Sequence, residues 1–359
     1  TNGPLSHLPS DLVFVYMGSP TAIQKYGNTE YANHPAGTGP FLMESLTRGQ
    51  QMVLTPNKDY WGGAPKLDKL ILKPIPDTST RLAALRSGEV NWIEAPNPDD
   101  VDALESAGFE VLTNSYDHIW PWILNVSSGP LSQVKVRQAL NYGIDRTTMS
   151  DTLLHGTANP ALQLAPTASL AYEKSNDLYS YDPAKAKQLL TEAGYPNGFS
   201  MSVSYPTSGS GNMQPGPMNQ ELQSELAKIG VKVELKPIEW AAMLTSFSSG
   251  KIPDNADAVN ISLTFIQESF WYLGFGSTSP INVGHYSNPQ VDALLADSLA
   301  QPDDTARYQI YAEISKLVTE DAPWLLVVND RNPRAIASNV NGFIQPKSWF
   351  VDLTTVSVG

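Results

Sequence analysis

The sequence predicts an α/β protein, because short apolar strands alternate with amphipathic helices along most of the chain. Two further observations predict more than one domain and a large core. The 359 residues exceed the usual length of a single domain, so we expect two lobes or three. A hydrophobic share of 41% against a charged share of 16% is typical of a well-packed globular protein.

The clearest local pattern is residues 130–146, which follow a mostly apolar strand predicted at 119–126. Ser132 is expected to cap a helix with an apolar stripe facing the core. Four polar residues of this helix are expected to lie largely on the other side: Lys135, Arg137, Gln138 and Asn141. Asp145 is expected to cap a second helix that ends at Gly156.

In the first third of the chain, strands are predicted at 41–46, 51–54, 67–75, 90–93 and 109–112. The first two form a hairpin around Arg48-Gly49. Asp77 opens a helix that stops at Gly88, and Asn97-Pro98 opens another that ends at Gly108.

After residue 180, the same alternation continues without an internal repeat. Helices are predicted at 184–193, 218–229, 238–247, 290–299 and 305–320. Strands are predicted at 199–205, 231–235, 256–263 and 324–328. Asp182-Pro183 and Asn288-Pro289 each combine a capping side chain with proline at the first helical position.

Charge and composition exclude several classes of function. The net charge is −13 and the 23 basic residues are scattered, so we expect no nucleic-acid partner and no anionic membrane surface. The chain has no cysteine, which excludes disulfides, thiolate catalysis and cysteine-zinc sites. No apolar run approaches the ~20 residues of a membrane span, and no signal segment is visible at the start. These facts alone leave the cellular compartment open.

Catalytic and cofactor motifs are missing from the sequence. The five histidines lie far apart, no G-x-S-x-G elbow is present, and Gly37-Thr38-Gly39 lacks the third glycine of a dinucleotide motif. We therefore expect no metal and no cofactor. One enzymatic alternative stays open: Glu268, next to Trp271 and Tyr272, could pair with Asp257 as the acid and base of a glycosidase.

Aromatic side chains near strand ends and loops are the best candidates for a binding surface. Trp120, Trp122, Trp240 and Trp271 belong to such segments. An aromatic ring stacked on a solute gains about 0.5–1.5 kcal/mol beyond burial. As a group these residues favour a concave binding surface over a core.

Six stretches resemble a family of bacterial transport proteins. They are 37–41 (GTGPF), 57–65 (NKDYWGGAP), 81–90 (RLAALRSGEV), 134–146 (VKVRQALNYGIDR), 181–195 (YDPAKAKQLLTEAGY) and 286–295 (YSNPQVDALL). Their residues and their order along the chain resemble those of solute-binding protein family five, the peptide, opine and nickel class that serves ABC importers. Most of these matches mark the scaffold rather than a ligand site.

The resemblance implies a two-lobed, Venus-flytrap periplasmic binding protein of class II. It implies that 1–115 form the latter part of lobe I, 116–328 form lobe II and 329–359 return to lobe I. It also implies that the N-terminal part of lobe I and an extra small domain are missing. The chain would then cross between lobes near 115–118 and near 329–334.

One departure from the family bears on the ligand. Peptide-binding relatives carry Trp and, three residues later, an Asp that anchors the ligand amine, after the strand that matches 256–263. Ser262 and Phe265 occupy those places here. Since a buried ammonium without a carboxylate is costly, either Glu268 or Asp257 substitutes, or the ligand is an opine, a sugar conjugate or another polar metabolite.

The implied function is the capture of a small polar solute or peptide and its delivery to an ABC transporter permease, without catalysis, by an exported, periplasmic or cell-surface monomer. Ligand would favour a closed form of the two lobes. The expected ligand-binding residues are Trp120, Trp122, Asn125, Tyr205, Asn212, Trp240, Phe265, Gln267, Glu268 and Trp271. Replacing Trp271 by Ala is expected to weaken binding without unfolding the protein. A third class of function also stays open, in which the protein has a structural role as a peptide clamp or a receptor contact.

Overall fold

The computed structural model describes residues 8–209, 211–265 and 268–359. Its helices are α1 (Leu8–Asp11), α2 (Pro20–Tyr31), α3 (Thr78–Arg86), α4 (Val101–Ser106), α5 (Val134–Tyr142), α6 (Arg146–Thr148), α7 (Pro183–Glu192), α8 (Pro215–Lys228), α9 (Trp240–Ser248), α10 (Ser269–Phe275), α11 (Pro289–Ala300) and α12 (Asp304–Asp321). Its strands are β1 (Phe41–Thr47), β2 (Gln51–Pro56), β3 (Leu70–Leu72), β4 (Trp92–Glu94), β5 (Glu110–Leu112), β6 (His118–Leu124), β7 (Ala158–Pro160), β8 (Phe199–Pro206), β9 (Val231–Ile238), β10 (Ala258–Asn260), β11 (Leu263–Thr264), β12 (Trp324–Asp330), β13 (Arg334–Ile336), β14 (Val340–Asn341) and β15 (Ser357–Val358).

The chain divides into two compact units. The smaller unit comprises Leu12–Asn114 and Pro333–Gly359. The larger unit comprises Ser115–Asn332 together with the N-terminal segment up to Asp11. The assignment of lobe I to 1–115 and 329–359, and of lobe II to 116–328, stays a prediction.

The smaller unit contains two antiparallel sheets of three strands, β1-β2-β3 and β4-β13-β5, and the pair β14-β15. The predicted hairpin forms, with Phe41 opposite Pro56 and Thr47 opposite Gln51. Asn57 fastens the segment before β1, because its backbone N–H donates to Pro40 O at 2.8 Å and its Nδ2 donates to Gly39 O at 2.9 Å. Two of the stretches that resemble the family thus hold each other in place.

Helix α3 begins as the sequence predicts, with the Asp77 carboxylate accepting from Thr80 N at 2.7 Å. The hydrogen bonds from Thr80 lower the pKa of Asp77. Arg81 of this helix donates to the carbonyls of Ile75, Pro76, Glu94 and Ala95. One guanidinium therefore links α3 both to the segment that precedes it and to the end of β4.

The larger unit is built on a mixed sheet in the order β7-β12-β6-β10-β8-β9, with β11 also paired to β6. Strands β8, β9 and β10 run parallel, whereas β6 runs antiparallel to both β10 and β12. Every residue of β6 and of β12 is buried. These two strands form the centre of the core, which agrees with the apolar strands predicted at 119–126 and 324–328.

Helix α5 differs from the predicted arrangement in its polar residues. Arg137 and Asn141 are buried instead of facing away from the core. Arg137 donates to the carbonyls of Leu131, Ser132, Asp321 and Ala322, and Asn141 donates to Trp324 O at 3.0 Å. The prediction was wrong for these two residues. Their hydrogen bonds to main-chain carbonyls, several of which lie next to β12, offset the free-energy cost of burying polar groups.

Several predicted elements have different bounds. Ser132 lies in a 3-10 turn and Gln133 precedes α5, so Ser132 is not its cap. Asp145 does accept from Thr148 N, but the helix it starts lasts three residues and continues as a π turn over Met149–Leu153. The strand predicted at 67–75 shortens to β3, and Ile238 ends β9 rather than starting α9.

The strand predicted at 256–263 is interrupted between β10 and β11. At the break, Asn212 Oδ1 accepts from Ser262 N at 3.2 Å and from Ser262 Oγ at 3.1 Å. A side-chain amide from a distant loop thus takes the place of a strand partner, which no local pattern could reveal.

Candidate functional site

Strand β6 carries two of the predicted site residues, Trp120 and Trp122, on one face of the sheet. Both indoles are fully buried. Trp120 Nε1 donates to Asn212 O at 3.1 Å, and Trp122 Nε1 donates to Asn219 Oδ1 at 2.7 Å. Because their N–H groups are satisfied inside the larger unit, these indoles pack as part of its core.

Three buried asparagines, Asn212, Asn219 and Asn260, surround these indoles, and we call them the amide cluster. Asn219 Nδ2 donates to Pro215 O at 2.7 Å and to Asn260 Oδ1 at 3.2 Å, and Asn260 Nδ2 donates to Pro121 O at 2.9 Å. The cluster fixes the start of α8 and the preceding loop against β6 and β10. Asn219 and Asn260 were not predicted, since an isolated Asn in a helix or strand gives no local signal.

Tyr205 and Trp240 are partly exposed, unlike the tryptophans of β6. Tyr205 lies near the end of β8, opposite Pro237 of β9. Trp240 is the first residue of α9 and lies against Gly209, where an added Cβ would be 2.6 Å from the indole ring. Gly209 also has a φ of 110°, so this close approach requires glycine.

Phe265 and Trp271 belong to a buried group of rings that also contains Phe275, Tyr311 and Trp324, and we call it the aromatic cluster. The ring centroids of Phe265 and Trp271 are 4.7 Å apart, and Trp271 stacks on Tyr311 at 5.1 Å and 10°. Beside it lies an apolar cavity of about 10 Å³, too small for a solute. The aromatic cluster therefore acts as core.

Glu268 is buried and its carboxylate is fully engaged. Arg307 binds both oxygens, with Nε on Oε2 and Nη2 on Oε1 at 3.1 Å, and Tyr311 OH donates to Oε2 at 3.1 Å. Arg307 also binds Asp304 Oδ1 at 2.7 Å. These hydrogen bonds raise the pKa of Arg307 further above its usual range. Glu268 is thus a structural partner of α12.

Asp257 and Glu268 lie toward opposite ends of β6, so they do not form the predicted catalytic pair. Asp257 follows the Asn125 end, where Asn125 N donates to Asp257 O at 2.9 Å. Glu268 follows β11, which pairs with His118 and Ile119. Six residues of strand separate these ends by about 20 Å, whereas glycosidase carboxyls lie about 5–9.5 Å apart. Asp257 is also occupied, since its Oδ2 accepts from Ser202 N and Oγ.

The structure brings some predicted residues together and separates others. Trp120 joins Asn212, and Phe265 joins Trp271 and, through Tyr311, Glu268. Asn125 stands apart at the other end of β6, where its Oδ1 accepts from Ser127 N and Oγ in a local turn. Gln267 lies outside the described residues.

Asp117, which the sequence reasoning missed, lies immediately before β6. The residue as a whole is partly exposed, but its Oδ1 is buried and meets no hydrogen-bond donor in the described part of the chain. Burial raises the pKa of Asp117 to about 7, and a hydrogen bond from the Ser169 side chain only partly offsets this. A single acid ahead of a mostly apolar strand was the available sequence signal.

Tyr116 and His118, which flank Asp117 in the chain, both contact other side chains of the protein. Tyr116 OH donates to Asp330 Oδ2 at 2.9 Å, and Asn332 N donates to Asp330 Oδ1 at 2.6 Å. His118 stacks on Tyr116 at 5.0 Å, and burial lowers its pKa to about 3. Burial therefore favours the neutral form of the His118 imidazole, whose Nδ1 lies 3.7 Å from Asp330 Oδ2.

Across residues 8–209, 211–265 and 268–359, no group of three or more acidic or histidine side chains is placed to hold a metal ion. None of the helices over the same residues is both long and apolar enough to cross a membrane.

The family model for bacterial extracellular solute-binding proteins, family 5 (middle region), matches residues 2–273. The chain belongs to this family. A solved structure shows the same fold: the Helicobacter pylori periplasmic binding protein DppA, in complex with the peptide STSA, superposes with a TM-score of 0.88 at 24% identity, covering 99% of this chain and 71% of that one. The α/β fold predicted from the sequence is thereby confirmed, as is the predicted family.

Curated relatives of this family 5 chain carry the names of binding proteins. Heme-binding protein A of Haemophilus influenzae is 30% identical over 99% of this chain, and the glutathione-binding protein GsiB of Salmonella typhimurium is 33% identical over 93%. The chain spans 66% of the length of each of these relatives.

Proposed function

We propose that this chain captures a small polar solute and delivers it, as the substrate-binding component of an ABC importer, to a membrane permease. The observation that carries the proposal is family membership over residues 2–273, on a scaffold that superposes on a peptide-bound relative. The named relatives bind heme and glutathione, so the supported class is an organic solute or short peptide.

The proposed role is binding without catalysis, by an exported monomer. The described acids support this view, because Glu268 is bound by Arg307 and Asp257 by Ser202. Both carboxylates take part in contacts within the protein, and the two lie toward opposite ends of β6. Export agrees with the extracellular family description.

Among the predicted aromatic ligand-binding residues, Tyr205 and Trp240 are partly exposed and offer ring surface to a solute. We propose direct ligand contact for these two. Six other predicted residues are buried inside the larger unit, and we propose that they support the fold instead of contacting the solute: Trp120, Trp122, Asn212, Phe265, Glu268 and Trp271.

The test is a titration of the purified chain with short peptides, glutathione, heme, opines, amino sugars and sugar conjugates, followed by tryptophan fluorescence and calorimetry. We expect saturable binding of at least one solute with no product on prolonged incubation. Turnover of a bound solute, or no binding across the whole panel, would contradict the proposal.

Trp240→Ala is the matching variant. It should weaken the affinity for the identified solute about tenfold or more, because the exposed indole face is lost, while the melting temperature changes little. Trp61→Ala removes an indole that is 83% exposed in the smaller unit and serves as the control. Equal affinities in the two variants would remove Trp240 from the site.

The predicted ligand-driven closing of two lobes is part of this proposal. Small-angle X-ray scattering with the identified solute tests it. The radius of gyration should decrease at saturation, and an unchanged value would leave binding intact but remove the closing step.

A further inference from the structure

The described chain contains the dipeptide Asn-Gly, followed by Phe, at two places, residues 197–199 and 341–343. In such a pair, the backbone nitrogen of the glycine can attack the side-chain carbonyl carbon of the asparagine, because glycine has no Cβ to block the close approach. The attack forms a succinimide ring and releases ammonia. Water then opens the ring to aspartate or isoaspartate, so one water enters and one ammonia leaves.

The first pair, Asn197-Gly198, has its reacting nitrogen engaged in a turn. Gly198 N donates to Tyr195 O at 2.9 Å. Gly198 also packs closely on the neighbouring backbone, since a Cβ added to it would collide with Gly230 O. The backbone therefore has little room to rotate the Gly198 nitrogen toward the Asn197 side chain, and we expect the folded structure to slow the reaction there.

The second pair, Asn341-Gly342, lies in a more open place at the end of β14. Both residues are exposed. Within the part of the chain that the structure describes, the Gly342 N–H has no hydrogen-bond acceptor. The Asn341 amide makes one exposed hydrogen bond, from Nδ2 to Asn339 O at 3.1 Å, which water can replace at little cost. Both reacting groups are therefore accessible to each other.

The surroundings of Asn341 indicate what the reaction would change. Asn341 lies opposite Ser357 in the β14-β15 pair, and Thr355 Oγ1 donates to Gly342 O at 2.8 Å. Isoaspartate carries the main chain through the former side chain, so the backbone becomes one atom longer at position 341. Extra backbone in one strand disrupts the ladder locally, as a β-bulge does, so the pairing of β14 with β15 should weaken.

We propose that Asn341-Gly342 is a site of spontaneous deamidation in the folded protein, and that the fold protects Asn197-Gly198 from the same reaction. The modification replaces a neutral amide by a carboxylate on the smaller unit. Its isoaspartate product loosens β15 from β14. The inference does not depend on the proposed transport function, so either can fail without the other.

The experiment ages the purified chain at pH 8 and follows each asparagine by mass spectrometry. Trypsin releases residues 335–347 as one peptide, and electron-transfer fragmentation distinguishes aspartate from isoaspartate. We expect Asn341 to react at least about tenfold faster than Asn197, since ring closure requires the nitrogen to reach a near-attack position. Asn339 is the control within the same peptide, because the valine that follows it shields its backbone nitrogen and should keep Asn339 intact.

The same chain unfolded in urea separates the effect of structure from that of sequence. Both pairs read Asn-Gly-Phe, so in urea they should react at similar rates. Equal rates at Asn197 and Asn341 in the folded chain would overturn the proposal. So would an Asn341 that stays intact in the folded chain over a period in which it reacts in urea.

Asn341→Gln is the matching variant, because the longer side chain closes a less favourable ring and should stop the modification at this position. Asn197→Gln is the control and should leave the rate at Asn341 unchanged. Anion exchange separates the aged form by its added charge, and hydrogen exchange then checks the effect on β15. The amides of Ser357 and Val358 should exchange faster in the isoaspartate form, and equal exchange would overturn the loosening of β15.

Discussion

Glu268 and Asp117 are acids of the same unit that both act on the Tyr308 phenol, yet their surroundings differ sharply. Glu268 accepts hydrogen bonds from Arg307 and Tyr311, so its charge is neutralised within the protein. Asp117 has the Ser169 hydrogen bond and an Oδ1 without a donor in the described chain. The difference teaches that two buried carboxyl groups of one unit can differ in whether the protein itself supplies a balancing cation.

Arg307→Ala should produce one of the largest effects on the Glu268 side. It leaves a buried carboxylate without its cation, which costs about 3–5 kcal/mol in the free energy of unfolding. Urea denaturation followed by circular dichroism measures the loss. The double variant Arg307→Met, Glu268→Gln should recover part of it. If Arg307→Ala is as stable as the parent, Glu268 does not need Arg307 to balance its charge.

Trp271→Ala should be comparably damaging. The sequence led us to expect weaker binding without unfolding, but Trp271 is 1% exposed and stacked on Tyr311. Truncation should cost about 3–5 kcal/mol through lost burial and a cavity. The same urea experiment checks this value, with Trp61→Ala, which should change stability by less than about 0.5 kcal/mol, as the control.

Asp117→Asn should have the opposite sign. The pKa of Asp117 rises from about 3.9 in the unfolded chain to about 7 in the folded one. The folded state therefore binds more protons, and this acid lowers stability as the pH rises from about 4 to about 7. The variant should gain roughly 2–4 kcal/mol at pH 8 and lose that advantage near pH 4.

Urea denaturation of both proteins between pH 4 and pH 8 measures this difference. Burial also raises the pKa of Glu225 to about 7, but this acid is present in both proteins and cancels. A difference that stays flat with pH would show that Asp117 does not carry the buried charge.

Tyr311→Phe should have the smallest effect of the set. It removes one hydroxyl donor to Glu268 Oε2 and keeps the stacked ring, so about 1.5 kcal/mol should be lost. Tyr272→Phe is the matched control, because its hydroxyl contacts the exposed Thr278 side chain. A Tyr311 variant that matches this control would show that Arg307 alone balances Glu268.

Local sequence patterns predicted much of the secondary structure. The hairpin of β1 and β2, the Asx caps at Asp77, Asp145 and Asp182, and the apolar strands β6 and β12 all appear. These features depend on residues close in the chain, so composition and spacing carry the information.

Predictions failed where distant residues meet. Arg137 and Asn141 were placed on the wrong side of α5, since their partners lie about 180 residues away. The break between β10 and β11 depends on Asn212, 50 residues upstream of Ser262. The ten predicted site residues stay a prediction. Among those described, the structure separates the buried ones from the partly exposed Asn125, Tyr205 and Trp240.

The sequence by itself determined the α/β class, the family and the helix starts, because periodicity, capping chemistry and motif order are written in neighbouring residues. Only the tertiary structure decided which acids are neutralised. Glu268 and Arg307 are 39 residues apart, and Asp117 is set apart by the absence of a nearby cation in the described chain. Charge compensation depends on the distance between two groups in three dimensions. The interaction weakens as that distance grows, and residues that are neighbours in the chain do not reveal it.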